Sequence, residues 1–424
     1  MSLVTPIKLQ ALRRKLSEKA KQETAYRFYV LYDKIWREDV FAHAYEVAKS
    51  NQGAPGVDGQ SFAGIESLGR ETWLAGLAQE LRTGTYRPQA VRRVLIPKAG
   101  GGERPLGIPT IRDRVVQTAV KLILEPNAYG YRPGRSARDA IQAVHRAMCL
   151  GRTDVVDADL SKYFDTISHS DLMKSVARRI ADGRMLHLIK MWLEVPVEER
   201  AKDGTRRWTG GKQQKRGTPQ GGVISPLLAN LYLNRMLKHF RQSGKNQQWQ
   251  AQIVAYADDF VILSRGHAAE AKEWAQVVLT RLGLELNEQK TSIRNSRQET
   301  FDFLGYTFGL RHWRDQRTYL TAWPSKKSLG RLREKVSQLL EPWQQAPWDE
   351  VRDQLNRLLR GWAQYFGYGS LAKAYSLVNH HVEERVRHFL RRRHKVCQGA
   401  TRRFPKEYIF GPMGVQLLRR PPLA

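Results

Sequence analysis

Two adjacent carboxylates, Asp258 and Asp259, are the first residues in this chain that could do chemistry. They stand between two apolar, β-prone runs, 253–255 and 260–263, so the pattern predicts a tight β-hairpin with both carboxylates at its turn. Like charges fixed side by side repel each other unless a cation lies between them, and hard Mg²⁺ prefers carboxylate oxygens. A two-metal site for phosphoryl transfer needs that arrangement. A solvated Asp-Asp turn is the commoner occurrence, so the rest of the chain must decide.

A third carboxylate stands about a hundred positions earlier in the chain. Asp159 ends an apolar segment that we predict as a strand, and Asp157 is its neighbour on the same face. Asp159 could complete a three-Asp cage for two Mg²⁺ ions with the two carboxylates of the turn. Phe164 follows five residues later and could form the wall of a sugar pocket, although an aromatic residue is more often part of a core.

A glycine-rich loop lies between these acidic segments, at Gly217–Pro226. Its glycines permit a close backbone approach, and Gln220 supplies an amide near a prospective substrate. Ser225 and Pro226 then predict the start of a helix. Such a loop is ordinary in proteins, and only its occurrence together with the acidic residues suggests a function.

Three basic side chains could serve the same chemistry. Lys98 and Arg104 flank three consecutive glycines, and a cationic hairpin of this kind can close on triphosphate oxygens. Lys290 could donate a proton to a leaving pyrophosphate. Each of them, taken singly, is more often a surface charge.

Strand and helix patterns alternate over the first 300 residues, which predicts a mixed α/β or α+β architecture. We predict strands at 91–97 and 154–160 and helices at 112–124 and 171–180. The polar stretch 310–317 has the composition of a connector, and Trp323-Pro324-Ser325 marks a helix start.

The last part of the chain is more basic and has helical periodicity. Residues 301–424 contain 23 Lys and Arg against 10 Asp and Glu. Apolar residues at helical spacing predict three amphipathic helices, within 329–340, 355–366 and 378–390. The polar side of the last helix carries five arginines that we predict to bind nucleic acid, with a solvated basic face as the alternative: Arg385, Arg387, Arg391, Arg392 and Arg393.

The composition narrows the class of protein. The net charge of +30 over 424 residues predicts a polyanionic partner, above all nucleic acid. No stretch is long and apolar enough to span a bilayer and no signal sequence is recognisable, so we expect a cytoplasmic protein that does not enter a membrane. The two cysteines, Cys149 and Cys397, lie far apart, and we expect neither a disulfide framework nor a zinc site.

Taken in order along the chain, these segments resemble the group II intron reverse transcriptase/maturase family. The resemblance rests on the following stretches: Asn51–Gly59, Ile96–Lys98, Arg104–Pro109, Gly130–Ser136, Asp157–Asp159, Phe164–Asp165, Gly217–Gly221, Tyr256–Asp259, Phe303–Gly305 and Leu359–Phe366. It spans roughly residues 35 to 395.

The resemblance implies an α+β right-hand polymerase with fingers, an antiparallel palm and an all-helical thumb or maturase domain. It implies an N-terminal helical extension and the start of the fingers at 1–85, fingers and palm at 86–310, and the thumb at 311–395. Residues 396–424 would be a short basic extension, a possible remnant of a DNA-binding region.

The resemblance also implies the chemistry. Asp159, Asp258 and Asp259 would hold two Mg²⁺ ions for RNA-directed DNA synthesis. Lys98, Arg104, Gln220, Lys290 and Phe164 would contact the incoming nucleotide, with Phe164 favouring dNTP by excluding a 2′-hydroxyl. The implied partners are group II intron RNA or another RNA template, a DNA primer or target, and dNTPs, with a role in splicing and retrohoming.

Two departures from the family leave other functions open. A zinc-type endonuclease domain, common in the family, is not expected in this sequence, and the connection around Pro126-Asn127 is shorter than usual. A shortened connection favours an RNA-binding splicing cofactor with impaired polymerase activity. A freestanding reverse transcriptase used in repair or antiviral defence is the other alternative.

Overall fold

The computed structural model describes residues 3–97, 102–124, 136–200, 203–219, 221–312, 315 and 317–419. Lys98, Gln220 and the Pro126-Asn127 connection lie outside the described residues.

Helices and strands alternate over the first three quarters of the described chain, and helices follow. The helices are α1 (Ile7–Gln22), α2 (Tyr32–Ile35), α3 (Glu38–Ser50), α4 (Phe62–Ser67), α5 (Arg70–Thr83), α6 (Ile111–Leu124), α7 (Ala137–Cys149), α8 (Tyr163–Thr166), α9 (His169–Ala177), α10 (Gly183–Leu193), α11 (Ser225–Gln242), α12 (Lys245–Gln248), α13 (Ala268–Arg281), α14 (Lys326–Leu339), α15 (Trp348–Tyr365), α16 (Ala372–Arg393), α17 (Ala400–Arg403) and α18 (Lys406–Phe410). The strands are β1 (Val91–Pro97), β2 (Glu103–Ile108), β3 (Asp154–Asp159), β4 (Pro196–Arg200), β5 (Arg206–Gly210), β6 (Gln252–Tyr256), β7 (Asp259–Ser264), β8 (Ser292–Asn295), β9 (Phe301–Phe303), β10 (Tyr306–His312) and β11 (Thr318–Pro324).

The central sheet carries the candidate catalytic residues. Its four strands have the order β6-β7-β3-β8, and each pair of adjacent strands is antiparallel. Val156, Ile262 and Phe260 are buried in the large core that also holds α6, α11 and α13, so burial of alternate strand residues fixes the pairing register. The predicted hairpin and the predicted strand at 154–160 are both confirmed, and they are neighbours in this sheet.

A second sheet, which we call the outer sheet, has the strand order β2-β1-β4-β5. β1 pairs with β2 antiparallel and with β4 parallel, and β4 and β5 form an antiparallel hairpin. β5 is therefore an edge strand, and all five of its residues are exposed. This sheet bears Arg104.

The third sheet, β11-β10-β9, corrects the expected boundary of the helical region. The first part of the predicted connector is strand, because Leu310 to His312 continue β10 and pair with Thr318 to Leu320 of β11. Helices begin at Lys326 rather than at 311, with the Ser325 hydroxyl accepting a hydrogen bond from the Ser328 amide as the N-cap. The polar composition predicted a connector rather than strands because β10 and β11 are only partly buried at these ends.

The C-terminal helices form their own core, and the three predicted amphipathic helices correspond to α14, α15 and α16. The expected separate extension after 395 is instead integrated into that core through the buried Phe404, Ile409, Val415 and Leu418. Asn379 holds this last segment by bonding both the amide (3.0 Å) and the carbonyl (2.9 Å) of Leu418.

A further core joins the sheets to the helical region. Phe366 at the end of α15 packs with Phe301, Phe303 and Phe308, and the ring centroids of Tyr306 and Phe366 are 5.1 Å apart. In the part of the chain that the structure describes, no helix is both long enough and apolar enough to cross a bilayer.

Candidate active site

The catalytic turn is a strained two-residue connection between β6 and β7. Tyr256 pairs with Asp259, which leaves Ala257 and Asp258 as the two turn residues. Ala257 has φ +59°, a left-handed value that L-residues other than glycine, asparagine and aspartate seldom adopt. Non-glycine strain of this kind is concentrated at functional sites, where the surrounding structure enforces it. The turn therefore projects Asp258 at the tip of the hairpin.

Asp159 is directly opposite Asp259 in the ladder between β3 and β7. Side chains of directly opposed residues lie on the same face, with Cβ atoms roughly 4.5–5.5 Å apart. The two segments, which are distant in the sequence, thus meet in the sheet, and Asp258 directly precedes Asp259 in the chain.

The electrostatics of the cluster reflect this proximity. Burial raises the pKa of Asp259 to about 6, and the charges of Asp258 and Asp159 add to the rise while Lys290 opposes it. Burial likewise raises the pKa of Asp157 to about 7, with Arg294 opposing the rise and nearby carboxylates adding to it. These carboxyl groups hold repulsive energy that a bound cation would relieve.

Lys290 lies against Asp159 rather than free in solvent. Its ammonium nitrogen donates a hydrogen bond to Asp159 Oδ2 over 2.8 Å, and this bond raises the pKa of Lys290. The Asn287 side-chain amide is 3.4 Å from the same oxygen, and the Asn287 backbone amide donates to the Asp159 carbonyl over 2.9 Å. Lys290 therefore supplies a positive charge at the predicted metal-binding carboxylate.

The three carboxylates are near one another but are not assembled as a coordination shell. Among the residues that the structure describes, no three His, Cys, Asp or Glu side chains are arranged to hold a metal ion. One oxygen of Asp159, Oδ2, accepts the hydrogen bond from the Lys290 ammonium group. The donor set itself, two or three hard carboxylate oxygens at one sheet end, suits Mg²⁺.

The glycine-rich loop is fixed beside the sheet by backbone hydrogen bonds. The Thr218 amide donates to the Phe164 carbonyl (2.7 Å) and the Gly217 amide to the Ile167 carbonyl (2.8 Å). The Phe164 side chain is partly buried against the large core. The loop and Phe164 are thus brought together, whereas the amide of Gln220 lies outside the described residues.

The same loop reaches the outer sheet. A Cβ added to Gly221 would lie 2.1 Å from the Gly107 carbonyl oxygen, and Gly221 has φ +102°, so only glycine fits. Gly107 belongs to β2, the strand of Arg104, whose side chain is exposed. Lys98 lies outside the described residues.

Two supporting residues were missed from the sequence. Gln117 is buried in α6, and its side-chain oxygen accepts a hydrogen bond from the Ile224 amide (3.2 Å), which holds the C-terminal end of the loop. Asn287 holds Asp159 as described. Asn287 could have been found from the sequence, because it stands three residues before Lys290. No residue near Gln117 in the sequence indicates that its partner is Ile224.

The five arginines of α16 are distant from this site in the chain, and most of them have partners within the protein. Arg385 donates to the carbonyls of Ser337 and Leu340 at the end of α14, and Arg393 donates to that of Ala346. Arg387 binds the Glu383 carboxylate and the Phe404 carbonyl. Arg391 binds the carbonyls of Val396 and Cys397, and Arg392 is exposed. Their role in nucleic-acid binding stays a prediction.

A hairpin with two acidic residues at its turn, opposed by a third on the next antiparallel strand, is an arrangement suited to metal-dependent nucleotidyl transfer. Residues 96–308 match the family model described as reverse transcriptase (RNA-dependent DNA polymerase), and residues 329–408 match the group II intron maturase-specific domain. The chain belongs to the group II intron reverse transcriptase/maturase family and carries a reverse transcriptase domain.

Three known proteins are similar to this chain to different extents. Protein YkfC of Escherichia coli (strain K12) is 35% identical over 344 residues, which cover 70% of this chain and 87% of YkfC. Group II intron-encoded protein LtrA of Lactococcus lactis subsp. cremoris is 29% identical over 374 residues, which cover 71% of this chain and 60% of LtrA. Among solved structures, a telomerase from Candida albicans with a fragment of telomeric RNA aligns at TM-score 0.42 and 13% identity, covering 77% of this chain and 65% of that chain.

Proposed function

We propose that this protein copies RNA into cDNA by two-metal nucleotidyl transfer and binds the RNA of a mobile group II intron to assist its splicing and retrohoming. The observation that carries the proposal is the register that sets Asp159 opposite Asp259, with Asp258 at the adjoining turn. In a right-hand description, the N-terminal helices and outer sheet form the fingers, the central sheet the palm and α14–α16 the thumb.

Asp159, Asp258 and Asp259 would hold two Mg²⁺ ions. When bound, these ions would lower the pKa of the primer 3′-hydroxyl and stabilise the leaving pyrophosphate. Lys290 holds Asp159 and orients its carboxylate, and its ammonium group would be the proton donor nearest to the leaving group. Ala257 keeps the turn in the conformation that presents Asp258.

The nucleotide would lie between the outer sheet and the loop at 217–222. Arg104 and Lys98 would contact triphosphate oxygens, Gln220 would line the nucleotide pocket, and Phe164 would exclude a 2′-hydroxyl. The close packing of Gly221 on Gly107 supports this placement, because it joins the loop directly to the strand of Arg104.

RNA binding is supported by the net charge of +30 and by the maturase-specific match over 329–408. LtrA is described as a group II intron-encoded protein, and this chain spans 60% of its length. An RNA-binding splicing cofactor with impaired polymerase activity is the second candidate, favoured by the short connection at Pro126-Asn127. A cytoplasmic location is the accompanying expectation.

Primer extension on an RNA template, with Mg²⁺ and dNTPs, tests the proposal. The wild type should yield full-length cDNA, whereas a variant with Asp258→Ala and Asp259→Ala should yield none while binding RNA normally. Glu288→Ala, which removes an exposed carboxylate two residues from Lys290, is the matched control and should remain active. Wild-type protein that binds RNA but makes no product on any template would support the splicing-cofactor function instead.

A further inference from the structure

Arg104 on β2 and Trp208 on the edge strand β5 project to the same face of the outer sheet. In the strand registers, Arg104 is opposite Ile96, Arg92 is opposite Glu198, and Glu198 is opposite Trp208. Opposed residues and alternate residues along a strand share a face, so Arg104, Arg92, Glu198 and Trp208 all project to the same side.

Trp208 is unusually exposed for its type on this face. Its side chain is 56% exposed, on a strand whose five residues are all exposed. Arg206 precedes it by two positions and shares its face, whereas Arg207 projects from the opposite face.

The acidic residue on this face is neutralised within the sheet. Glu198 is only 2% exposed, and its Oε1 receives Arg200 Nε at 2.8 Å and has Arg206 Nε at 3.9 Å. The residue opposite Trp208 on β4 is therefore a carboxylate whose charge is compensated by Arg200 and Arg206.

Charges alone would be explained by protection of a sheet edge against pairing with another chain. An exposed tryptophan does not serve that purpose, because it adds apolar surface to the edge. A large aromatic face next to guanidinium groups has the chemistry that binds unpaired nucleotides, since bases stack on the ring and phosphates pair with the cations.

We propose that this face of the outer sheet binds single-stranded RNA, with a base stacked on Trp208 and a neighbouring phosphate paired with Arg206. The occupant is the template that has not yet been copied. This assignment rests on the proposed function, in which Arg104 contacts the incoming nucleotide that pairs with a template base, and Arg104 shares this face with Trp208.

Strand spacing sets the reach that the template needs. β5 is three strands from β2, about 14 Å at ~4.8 Å per strand, and Trp208 is level with Arg92, four residues or about 13 Å along the strand from Ile96. The diagonal between the Arg104 and Trp208 positions is thus roughly 19 Å. An overhang of one or two nucleotides should be too short to reach Trp208, and one of about eight should reach it.

Equilibrium binding without dNTPs tests the proposal, because it does not depend on catalysis. Fluorescence anisotropy would compare Trp208→Ala with the wild type on RNA template–DNA primer duplexes that are blunt, or carry a template 5′ overhang of about two or about eight nucleotides. Trp208→Ala should bind the longest overhang roughly 5- to 150-fold more weakly, because stacking one base on an aromatic side chain contributes ~1–3 kcal/mol. It should bind the other two duplexes as the wild type does, and Trp208→Phe should restore most of the loss.

Two variants serve as matched controls, and thermal melting of each variant confirms folding. Trp343→Ala removes a tryptophan that is 73% exposed between α14 and α15, and it should leave all three affinities unchanged. Arg207→Ala, on the opposite face of β5, should weaken all three equally if it acts at all. If Trp208→Ala lowered the affinity for the blunt duplex equally, the proposal would be overturned in favour of a site for structured RNA. If it lowered the affinity for none of the duplexes, this face would not be a nucleic-acid site. Failure of primer extension in the wild type would refute the proposed function without changing these binding contrasts.

Discussion

The carboxylates at the β6–β7 turn and the arginines of α16 are both dense clusters of like charge. The carboxylates lie close to one another, whereas most of the arginines bind acceptors within the protein. Asp259 faces Asp159 and follows Asp258, and burial with these like charges raises its pKa to about 6. On α16, by contrast, Arg385 and Arg387 donate to backbone carbonyls, and Arg387 also binds Glu383.

This difference separates two kinds of charge cluster: one whose like charges oppose folding, and one whose charges support the fold through bonds within the protein. Repulsive, partly buried carboxylates reduce stability, and a cation bound between them would relieve that repulsion. Arginines that bind the free carbonyls at helix ends satisfy acceptors that the helix itself leaves unpaired. A basic helix face is therefore weaker evidence of nucleic-acid contact when its guanidinium groups already have partners.

The largest expected effect comes from neutralising one carboxylate of the cluster. Asp159→Asn keeps the shape of the side chain but removes a metal-binding charge, so single-nucleotide incorporation should fall at least about a thousandfold, or ~4 kcal/mol in barrier. The melting temperature should change little, because the relieved repulsion with Asp259 is offset by the lost ion pair with Lys290. Asp157→Asn, two residues earlier on the same face, is the control and should keep most activity; equal losses in both variants would mean that Asp157 also binds metal.

The next largest effect concerns the arginines of α16 and their contribution to stability. Arg387→Ala leaves Glu383 half-buried without its partner and frees the Phe404 carbonyl, so the free energy of unfolding should fall by about 2–4 kcal/mol. Denaturant titration measures the loss, and RNA affinity of the folded variant should be nearly unchanged.

Arg392→Ala is the contrast to Arg387→Ala, because Arg392 is exposed. Its stability should stay within about 0.5 kcal/mol of the wild type, while the salt dependence of RNA binding should weaken by about one unit of log–log slope. A stable Arg387→Ala variant with weakened RNA binding would show that the compensated arginines bind RNA after all.

Local patterns were sufficient for the elements but not for their contacts. The hairpin of β6 and β7, the strand β3 and the helices α14 to α16 follow from period-two and helical spacing within single segments. The register of Asp159 against Asp259 joins segments a hundred residues apart, and no local period specifies it.

The errors have the same physical origin. The end of β10 at 310–312 was predicted as a connector because this end of the strand is polar and only partly buried, so alternation is weak there. The segment after 395 was predicted as a short basic extension, and the Asn379 bonds and the buried Val415 and Leu418 hold it in the helical core. Side-chain bonds to a distant backbone leave no periodic signal in a sequence.

A smaller effect should appear where the helical region contacts the turn between β9 and β10. The Tyr365 hydroxyl at the end of α15 donates to the Leu304 carbonyl (2.9 Å), and burial together with nearby Tyr256 raises the pKa of Tyr365. Tyr365→Phe should lower the free energy of unfolding by about 0.5–1.5 kcal/mol, and the KM for primer–template should rise more than kcat falls. Tyr408→Phe, a phenol of similar exposure in the helical region, is the control. No change in either quantity would mean that the two regions do not communicate through this bond.

The smallest effect is a pH-dependent change in stability that arises from His169, a residue that bonds the glycine-rich loop. His169 Nε2 donates to the Gly217 carbonyl over 2.6 Å, and burial lowers the pKa of His169 below its usual 6.5 despite the opposing effect of that bond. The unfolded chain therefore binds more protons near pH 6, so the stability that neutral His169 contributes is present above about pH 6.5 and is lost as the pH falls through the folded pKa. His169→Gln keeps a donor but cannot titrate, so the drop in melting temperature between about pH 7.5 and pH 5.5 should be smaller in the variant than in the wild type. Equal drops would mean that protonation of His169 does not loosen the loop beside the carboxylates.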